Sequence, residues 1–315
     1  MKRTILWAMG ALLAASPLFL DNYWTDVLNN VGLYAVLALS LNVILGQAGL
    51  FHMGHAAFYA VGAYTGAILN TTYGIPILWT IPLAGLLAGL TAAIIARPII
   101  HLRGDYLLIV TIGVVEIVRI ALINNVFGLT GGANGIFGIA RPVVLGFKLT
   151  QPIHFFYLIW TFVGISAVLF RRLAFSRFGR ALRYIKADET AASGSGIPVA
   201  HYKLIAFVIG AVWAGITGPI FAAKMTIISP ESFTFWESVL LFTIVILGGS
   251  GNILGVIIGA FLLIGLPELF RDFAQYRMLV FGAVMVVMMI FRNGGLLPPR
   301  PPQYPLAAQL AEEHE

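Results

Sequence analysis

Residues 41–69 read LNVILGQAGLFHMGHAAFYAVGAYTGAIL, apolar almost throughout, yet glycine recurs at 46, 49, 54, 62 and 66, and His52 and His55 interrupt the hydrocarbon. In lipid no water is available to satisfy backbone groups freed by a broken helix. A segment this apolar and this rich in glycine must therefore pack closely against another helix or line a cavity. Imidazoles at such a depth need polar partners or a wet surrounding. The stretch reads as transmembrane and as the first place to look for function.

The rest of the chain agrees. Of its 315 residues 59% are hydrophobic and 10% charged, and its mean hydropathy is +0.92. Soluble domains carry about 25% charged residues, so a membrane protein of several spans is indicated. The 34 glycines exceed the usual share of about 7% and suit close helix packing or helix breaks. With no cysteine there is no disulfide framework, thiol nucleophile or cysteine-held metal. Lys2-Arg3 and the apolar run to Leu20 could form a signal peptide, with Ala14-Ala15-Ser16 for cleavage. An uncleaved first span is preferred, because many spans follow and about 17 residues suffice to cross.

Hydrophobic runs fall near 4–20, 31–47, 51–70, 76–96, 105–125, 153–170, 204–223, 238–250, 252–268 and 277–291. An all-α polytopic protein of about 8–10 transmembrane helices with glycine-broken segments is expected. Ten crossings put both termini on one side, and the lysines and arginines identify it as the cytoplasm. Lys2, Arg3, Arg97, Arg103, Arg171, Arg172, Arg177, Arg180, Arg183, Lys186, Lys203, Arg292 and Arg300 then lie inside, 13 of the 19 basic residues. The net charge of +6 thus reflects membrane orientation, and no nucleic-acid partner is expected. The region 238–268 is short for two crossings, so a broken or re-entrant segment is an alternative there.

Residues 1–297 form the expected membrane domain, with an outer loop dense in Gly, Asn and Pro at 126–152 and a long cytoplasmic segment at 171–203. The Pro-rich, acidic stretch 298–315 is expected to be a mobile cytoplasmic tail. A faint internal repeat relates VILGQAG at 43–49 to VILGGSG at 245–251, each followed by a further glycine, Gly54 and Gly255. Paired glycine-interrupted segments in two halves point to the binding site of a transporter.

Within the cytoplasmic segment, 175–197 can form short amphipathic helices with a basic face, interrupted by Gly194-Ser195-Gly196 and limited by Pro198. The plain reading is a solvated, positive-inside loop; the sharper one is a coupling helix docking on a soluble motor. Thr190-Ala191-Ala192-Ser193-Gly194-Ser195-Gly196 has the spacing of the EAA-x3-G loop of bacterial ABC permeases, with Thr190 in the glutamate position. Glu116 and Arg119, three apart in one span, can pair with each other as a buried structural ion pair. Thr130-Gly131-Gly132-Ala133-Asn134-Gly135 lacks the Gly-Lys-Ser/Thr of a phosphate loop and reads as a tight turn. His52 and His55 have no Asp, Glu or Cys within ten residues, which argues against a metal site. With no Walker A pattern or nucleophile elbow, no catalysis is expected in this chain.

Taken together, the motifs resemble the LivM-type permeases of branched-chain amino-acid ABC transporters over nearly the whole chain. The resemblance rests on Leu41-Asn42 through Gly46, Gly54-His55-Ala56-Ala57-Phe58 and Gly62-Ala63-Tyr64. It continues through Leu102-Arg103-Gly104-Asp105-Tyr106, Thr130 to Gly135, Gly179-Arg180-Ala181-Leu182-Arg183, Ser229-Pro230-Glu231-Ser232-Phe233 and Leu247-Gly248-Gly249. Two departures stand out: His52 replaces a small polar residue, and Ser193-Gly194-Ser195 replaces a more helical stretch.

The resemblance implies a non-enzymatic subunit of a bacterial inner-membrane importer. Its expected partners are a LivH-like second permease, two cytoplasmic ATPases, an external substrate-binding protein and membrane lipid. ATP and Mg would be used by the motor subunits, with no cofactor in this chain. Asn42, Gly46, Gln47, Gly49, His52, Gly54, His55, Gly248 and Gly251 are the expected pathway residues. Arg180, Arg183, Thr190, Ala191, Ala192 and Gly196 are the expected coupling residues. Urea or a short-chain amide is the alternative substrate, and an ion-coupled secondary transporter the alternative class.

Overall fold

The computed structural model describes residues 16–269, apart from Arg103 and Leu145, and scattered positions between 282 and 298. Helix α1 runs Asn22–Asn42 and passes without interruption into a π-turn, Val43–Gln47. It begins earlier than the expected 31. The polar residues of its first turns have partners that allow it: Asp26 pairs with Lys224 at 3.0 Å and Asn30 accepts a hydrogen bond from the same ammonium at 2.6 Å.

The run expected at 51–70 is not one span. Residues 48–54 are irregular, and α2 starts only at His55, running to Tyr73. Gly49 adopts φ +71°, a conformation that ends α1 and that a side chain would resist. Helices α3 (Ile77–Ile99) and α4 (Asp105–Ile123) follow. The outer loop then forms two small ladders. Strand β1 (Ile136–Phe137) pairs antiparallel with β4 (Ile227–Ile228), and β2 (Val143–Val144) with β3 (Phe147–Lys148).

Helix α5 (Pro152–Phe175) returns to the inner side, where Ser176 caps α6 (Arg177–Ala187) by accepting from the Gly179 amide. Asp188 caps the short α7 (Glu189–Gly194) through the amides of Thr190 and Ala191. Helix α8 (Val199–Met225) crosses back. A 3₁₀ turn, Pro230–Phe233, leads into α9 (Phe235–Gly248). Helix α10 (Ile253–Ala260) is capped by Asn252 and continues through a π-turn to Leu269.

Among the described residues six helices are long and apolar enough to cross a membrane: α1 with its π-turn, α3, α4, α5, α8, and α9 with its 3₁₀ turn. The expected runs at 4–20 and 277–291 lie almost wholly outside the described residues, as does the tail after 298. The region 238–268 is a helical hairpin broken at Gly249–Asn252. Gly249 (φ +113°) and Gly251 (φ +96°) supply the break, and the arms close until a Cβ on Gly248 would fall on the Gly255 carbonyl.

Small residues organise the interior. Helix α8 packs along α2 and α3, the most intimate contacts of the fold. A Cβ on Gly62 would fall on the Gly215 carbonyl, one on Gly218 would strike the Ala63 amide, and one on Gly85 would lie 2.7 Å from Ile216. Between helices in lipid, such close backbone approach takes the place of a hydrophobic driving force. Helix α1 is the most enclosed, with 78% of its most apolar window buried, whereas α4 buries 28% of its window. Helix α4 therefore presents most of its surface outward.

Gly62→Leu should force α2 and α8 apart at a cost of roughly 3 kcal/mol and abolish the monodisperse peak in size-exclusion chromatography. Gly164→Leu, where an added Cβ meets nothing within 4 Å, should leave that peak unchanged.

Candidate functional site

The two glycine breaks suggested by the internal repeat meet in space. The Asn42 side-chain carbonyl accepts a hydrogen bond from the Gly251 amide at 2.7 Å. Gly46 sits against the same pair, so that a Cβ there would fall on Asn42 and on the Gly251 amide. The side chain at the end of α1 thus satisfies a backbone donor freed by the α9–α10 break, as a low-dielectric surrounding demands.

A third element joins them. Lys186, near the end of cytoplasmic helix α6, donates to the Gly46 carbonyl at 2.8 Å. This carbonyl belongs to the last turn of α1, where helix carbonyls lack intrahelical partners and the dipole favours a cation. The lysine stem lies over Gly49, where a Cβ would come within 2.9 Å of Cγ. Partial burial holds the Lys186 ammonium below its ordinary pKa. Sequence reading counted Lys186 only as a positive-inside charge. Gln47 is buried beside it with its side-chain oxygen unpartnered.

A second polar group lies deeper. Ser40 is about five turns along α1, roughly 27 Å from Asn22, and its hydroxyl lies 2.7 Å from Nε2 of His55 and 2.7 Å from the Leu37 carbonyl. The single hydroxyl proton goes to Leu37, so His55 donates from Nε2 and its Nδ1 is a bare acceptor. That Nδ1 has no partner, and neither nitrogen of the wholly buried His52 has one. The His52 ring is enclosed by Phe207 (centroids 4.6 Å apart), Phe58 and His55 (each 5.9 Å). Gly54 makes this enclosure possible: a Cβ there would lie 2.7 Å from His52 and 2.8 Å from the Thr111 carbonyl.

The start of α2 is held at this depth from two sides. Thr111 of α4 accepts from the Met53 amide at 3.1 Å, and Ser238 of α9 accepts from the Ala56 amide at 3.0 Å. Next to Ser238, Glu237 accepts a hydrogen bond from the Tyr34 hydroxyl at 2.7 Å. Tyr34 is about three turns into α1, roughly 18 Å from its outer end, so Glu237 is drawn in against the middle of α1. The run beginning at 238 had left Glu237 in the outer loop. The loop dips inward because Phe233 packs against Tyr59, Tyr64 and Phe221. An acid directly before a hydrophobic run was the signal available.

The Glu116–Arg119 pair forms at 2.9 Å and extends to Glu231 at 3.1 Å, linking α4 to the inward-dipping loop. On the cytoplasmic side Arg180 donates to the Phe175 carbonyl at the end of α5, and Arg183 is partly exposed. Thr190, Ala191 and Gly196 are exposed, and Gly196 adopts φ +81°. Ala192 is buried, so it anchors α7 and is not offered to a partner. Lys203 of α8 is paired with Glu189 at 2.8 Å, fixing α7 to the membrane part.

Of the expected pathway residues, Asn42, Gly46, Gly49 and Gly251 converge at the inner junction, with Gly248 closing the neighbouring hairpin. His52, Gly54 and His55 belong to the deeper group.

The chain matches, over residues 23–291, the family model described as the permease component of branched-chain amino acid transport systems. It is 39% identical to the high-affinity branched-chain amino acid transport system permease protein LivM of Escherichia coli K12, covering 97% of this chain and 77% of that protein. The LivM protein of Salmonella typhimurium LT2 is likewise 39% identical, with 99% and 78% covered. The corresponding LivH protein of Escherichia coli K12 is 24% identical, with 84% and 91% covered. No solved structure matches the chain.

Lys186→Met keeps the stem over Gly49 and removes the donor to Gly46. A hydrogen bond of this kind is worth about 1 kcal/mol, so amide exchange at residues 47–50 should quicken roughly fivefold. Unchanged exchange at these amides would show that the contact does not hold the break.

Proposed function

This chain belongs to the family of permease components of branched-chain amino acid transport systems, and we propose that it forms half of the translocation path of an ATP-driven importer. The other half is a LivH-like permease, an assignment supported by the likeness of this chain to LivH along most of its length. Two cytoplasmic ATPases and an external binding protein complete the assembly. The chain is a multi-pass protein of a bacterial inner membrane with its basic segments in the cytoplasm.

The observation that carries this reading is the junction of Lys186, Gly46 and Gly251. A soluble motor bears on 171–203, where Thr190, Ala191 and Gly196 are exposed and Arg180 and Arg183 reach the surface. Displacement of α6 pulls on the end of α1 through Lys186, and through Asn42 on the α9–α10 hairpin. Both breaks are glycine-flanked, so they bend where straight helices would resist. The loaded binding protein docks on the outer loops, 126–152 and 225–237, which β1 and β4 tie together. Closure of the motor favours one arrangement of the path over the other; differential binding of ATP to the two arrangements carries the coupling, and hydrolysis in the motor subunits supplies the energy.

The first test is gentle purification of the tagged chain from its native membrane, followed by identification of co-eluting subunits and assay of vanadate-sensitive ATP hydrolysis. An ATPase and a second permease are expected; a lone chain without hydrolysis in several mild detergents overturns the importer. Gly54→Leu should abolish leucine uptake at equal membrane levels, because the added atoms collide with His52 and Thr111. Charge reversal at both Arg180 and Arg183 should reduce ATPase recovered with the tagged chain, and undiminished recovery would contradict their docking role.

A further inference from the structure

The cytoplasmic segment grips the membrane part at more than one point. Lys186 of α6 reaches the end of α1. The start of α8 makes two further contacts through neighbouring residues. Tyr202 stacks its ring on Phe178 of α6, with centroids 5.4 Å apart and planes inclined by 18°. Lys203 pairs with Glu189, the first residue of α7, at 2.8 Å. Helix α7 is anchored beside this pair by the buried Ala192, whose carbonyl accepts from the Ile197 amide at 3.1 Å.

The ion pair is poorly placed for a merely stabilising contact. Lys203 is only 4% exposed, and an ion pair taken out of water returns little net stability. Lys203 is also the fifth residue of α8, near the positive end of the helix dipole, which opposes a cation. Such a contact fixes position instead. When α7 shifts, the lysine either follows it or stays behind as a buried charge without its partner, which is the costlier outcome.

Beyond Lys203, α8 leads directly to the deeper polar group. Phe207 follows one turn later, about 6 Å along the axis. Its ring is wholly buried and lies against His52, with centroids 4.6 Å apart. A Cβ on Gly210 would come within 2.6 Å of Ile44 and 3.0 Å of the Ser40 carbonyl, and Ser40 is the partner of His55. No glycine or proline stands between Lys203 and Gly210, so this part of α8 moves as a stiff rod. One helix thus meets α7 at its end and, within two turns, reaches His52 directly and His55 through Ser40.

We propose that the Glu189–Lys203 pair is a transmission contact: movement of α7 enters α8 through it and reaches the His52–His55 group through Phe207. Lys203 is a positioning residue and touches no cargo. This inference rests on the importer reading and adds to it a second route, beside the one from Lys186 to Gly46. The first route ends at the glycine breaks and the second at the start of α2. Packed side chains and a rigid element are sufficient to carry such coupling.

The test uses the complex with all its subunits, reconstituted in vesicles with leucine-loaded binding protein. Leucine uptake and ATP hydrolysis are measured in the same preparation for Glu189→Gln, Lys203→Met and the double variant. Each single variant should lower the leucine taken up per ATP roughly fivefold or more, with the motor subunits still bound and still hydrolysing. Because the two side chains act as one unit, the double variant should do no worse than the worse single variant. Lys203→Arg, which keeps the charge, should restore most of the coupling. Unchanged uptake per ATP in both single variants overturns the proposal. A proportional fall of uptake and hydrolysis, the mark of a purely structural contact, also overturns it, as do losses that multiply in the double variant.

The unmodified complex supplies a second readout. Trapping ATP with vanadate should alter amide exchange at 189–196 and, with it, at Met53 and Ala56, whose amides are held beside the histidines. In Lys203→Met the change at Met53 and Ala56 should be lost while that at 47–50 persists. A response of 189–196 without Met53 and Ala56 in the unmodified complex overturns the proposal, even where the Gln variant fails to assemble. Failure of the unmodified complex to import leucine, or absence of an ATPase from it, instead overturns the importer reading, so the two failures are distinguishable.

Discussion

A broken helix in a bilayer must find partners for its freed backbone groups inside the protein, and this fold is built around that requirement. The hydrogen bond from the Gly251 amide to the Asn42 side chain meets it for one break, and the bond from Lys186 to the Gly46 carbonyl meets it for the other. Remove these two contacts and both interruptions lose the side chains that answer them. Because each is made by a residue of a distant element, the breaks are also the points at which separate parts of the chain are joined. Stability and transmission of movement therefore depend on the same few atoms.

The same logic operates at greater depth. Helix α2 begins beside Ser40, Thr111 and Ser238; Ser238 accepts the amide of Ala56 in its first turn and Thr111 that of Met53 just before it. A fully buried helix start keeps its positive potential where water cannot screen it. The inward-dipping loop before α9 brings Glu237 to that neighbourhood, held by Phe233 in an aromatic cluster with Tyr59, Tyr64 and Phe221. Packing elsewhere is tight enough to keep this geometry: α2 and α8 touch through glycine backbone, leaving no slack between them.

Helix α4 stands apart. It is the most exposed of the spans, yet it bears the Arg119 ion pairs with Glu116 and Glu231 and supplies Thr111 to the start of α2. A weakly buried helix with polar links to the site can shift without dismantling the core.

Much of the architecture was legible in the chain itself. Hydrophobic runs gave α3, α4, α5 and α8 nearly to their ends, since about 20 apolar residues have few alternatives in a bilayer. Glycine spacing marked both breaks, because only glycine suits the left-handed turns at Gly49 and Gly251. Other features could not be read there. The start of α2 at His55, the burial of Ala192, the second partner of Arg119 and the depth of Glu237 depend on residues far away in sequence. Composition and periodicity determine which segments leave water and where the backbone can break. Which polar group answers each break is a matter of three-dimensional proximity, and only the packed helices, by bringing Lys186 to Gly46 and Tyr34 to Glu237, decided it.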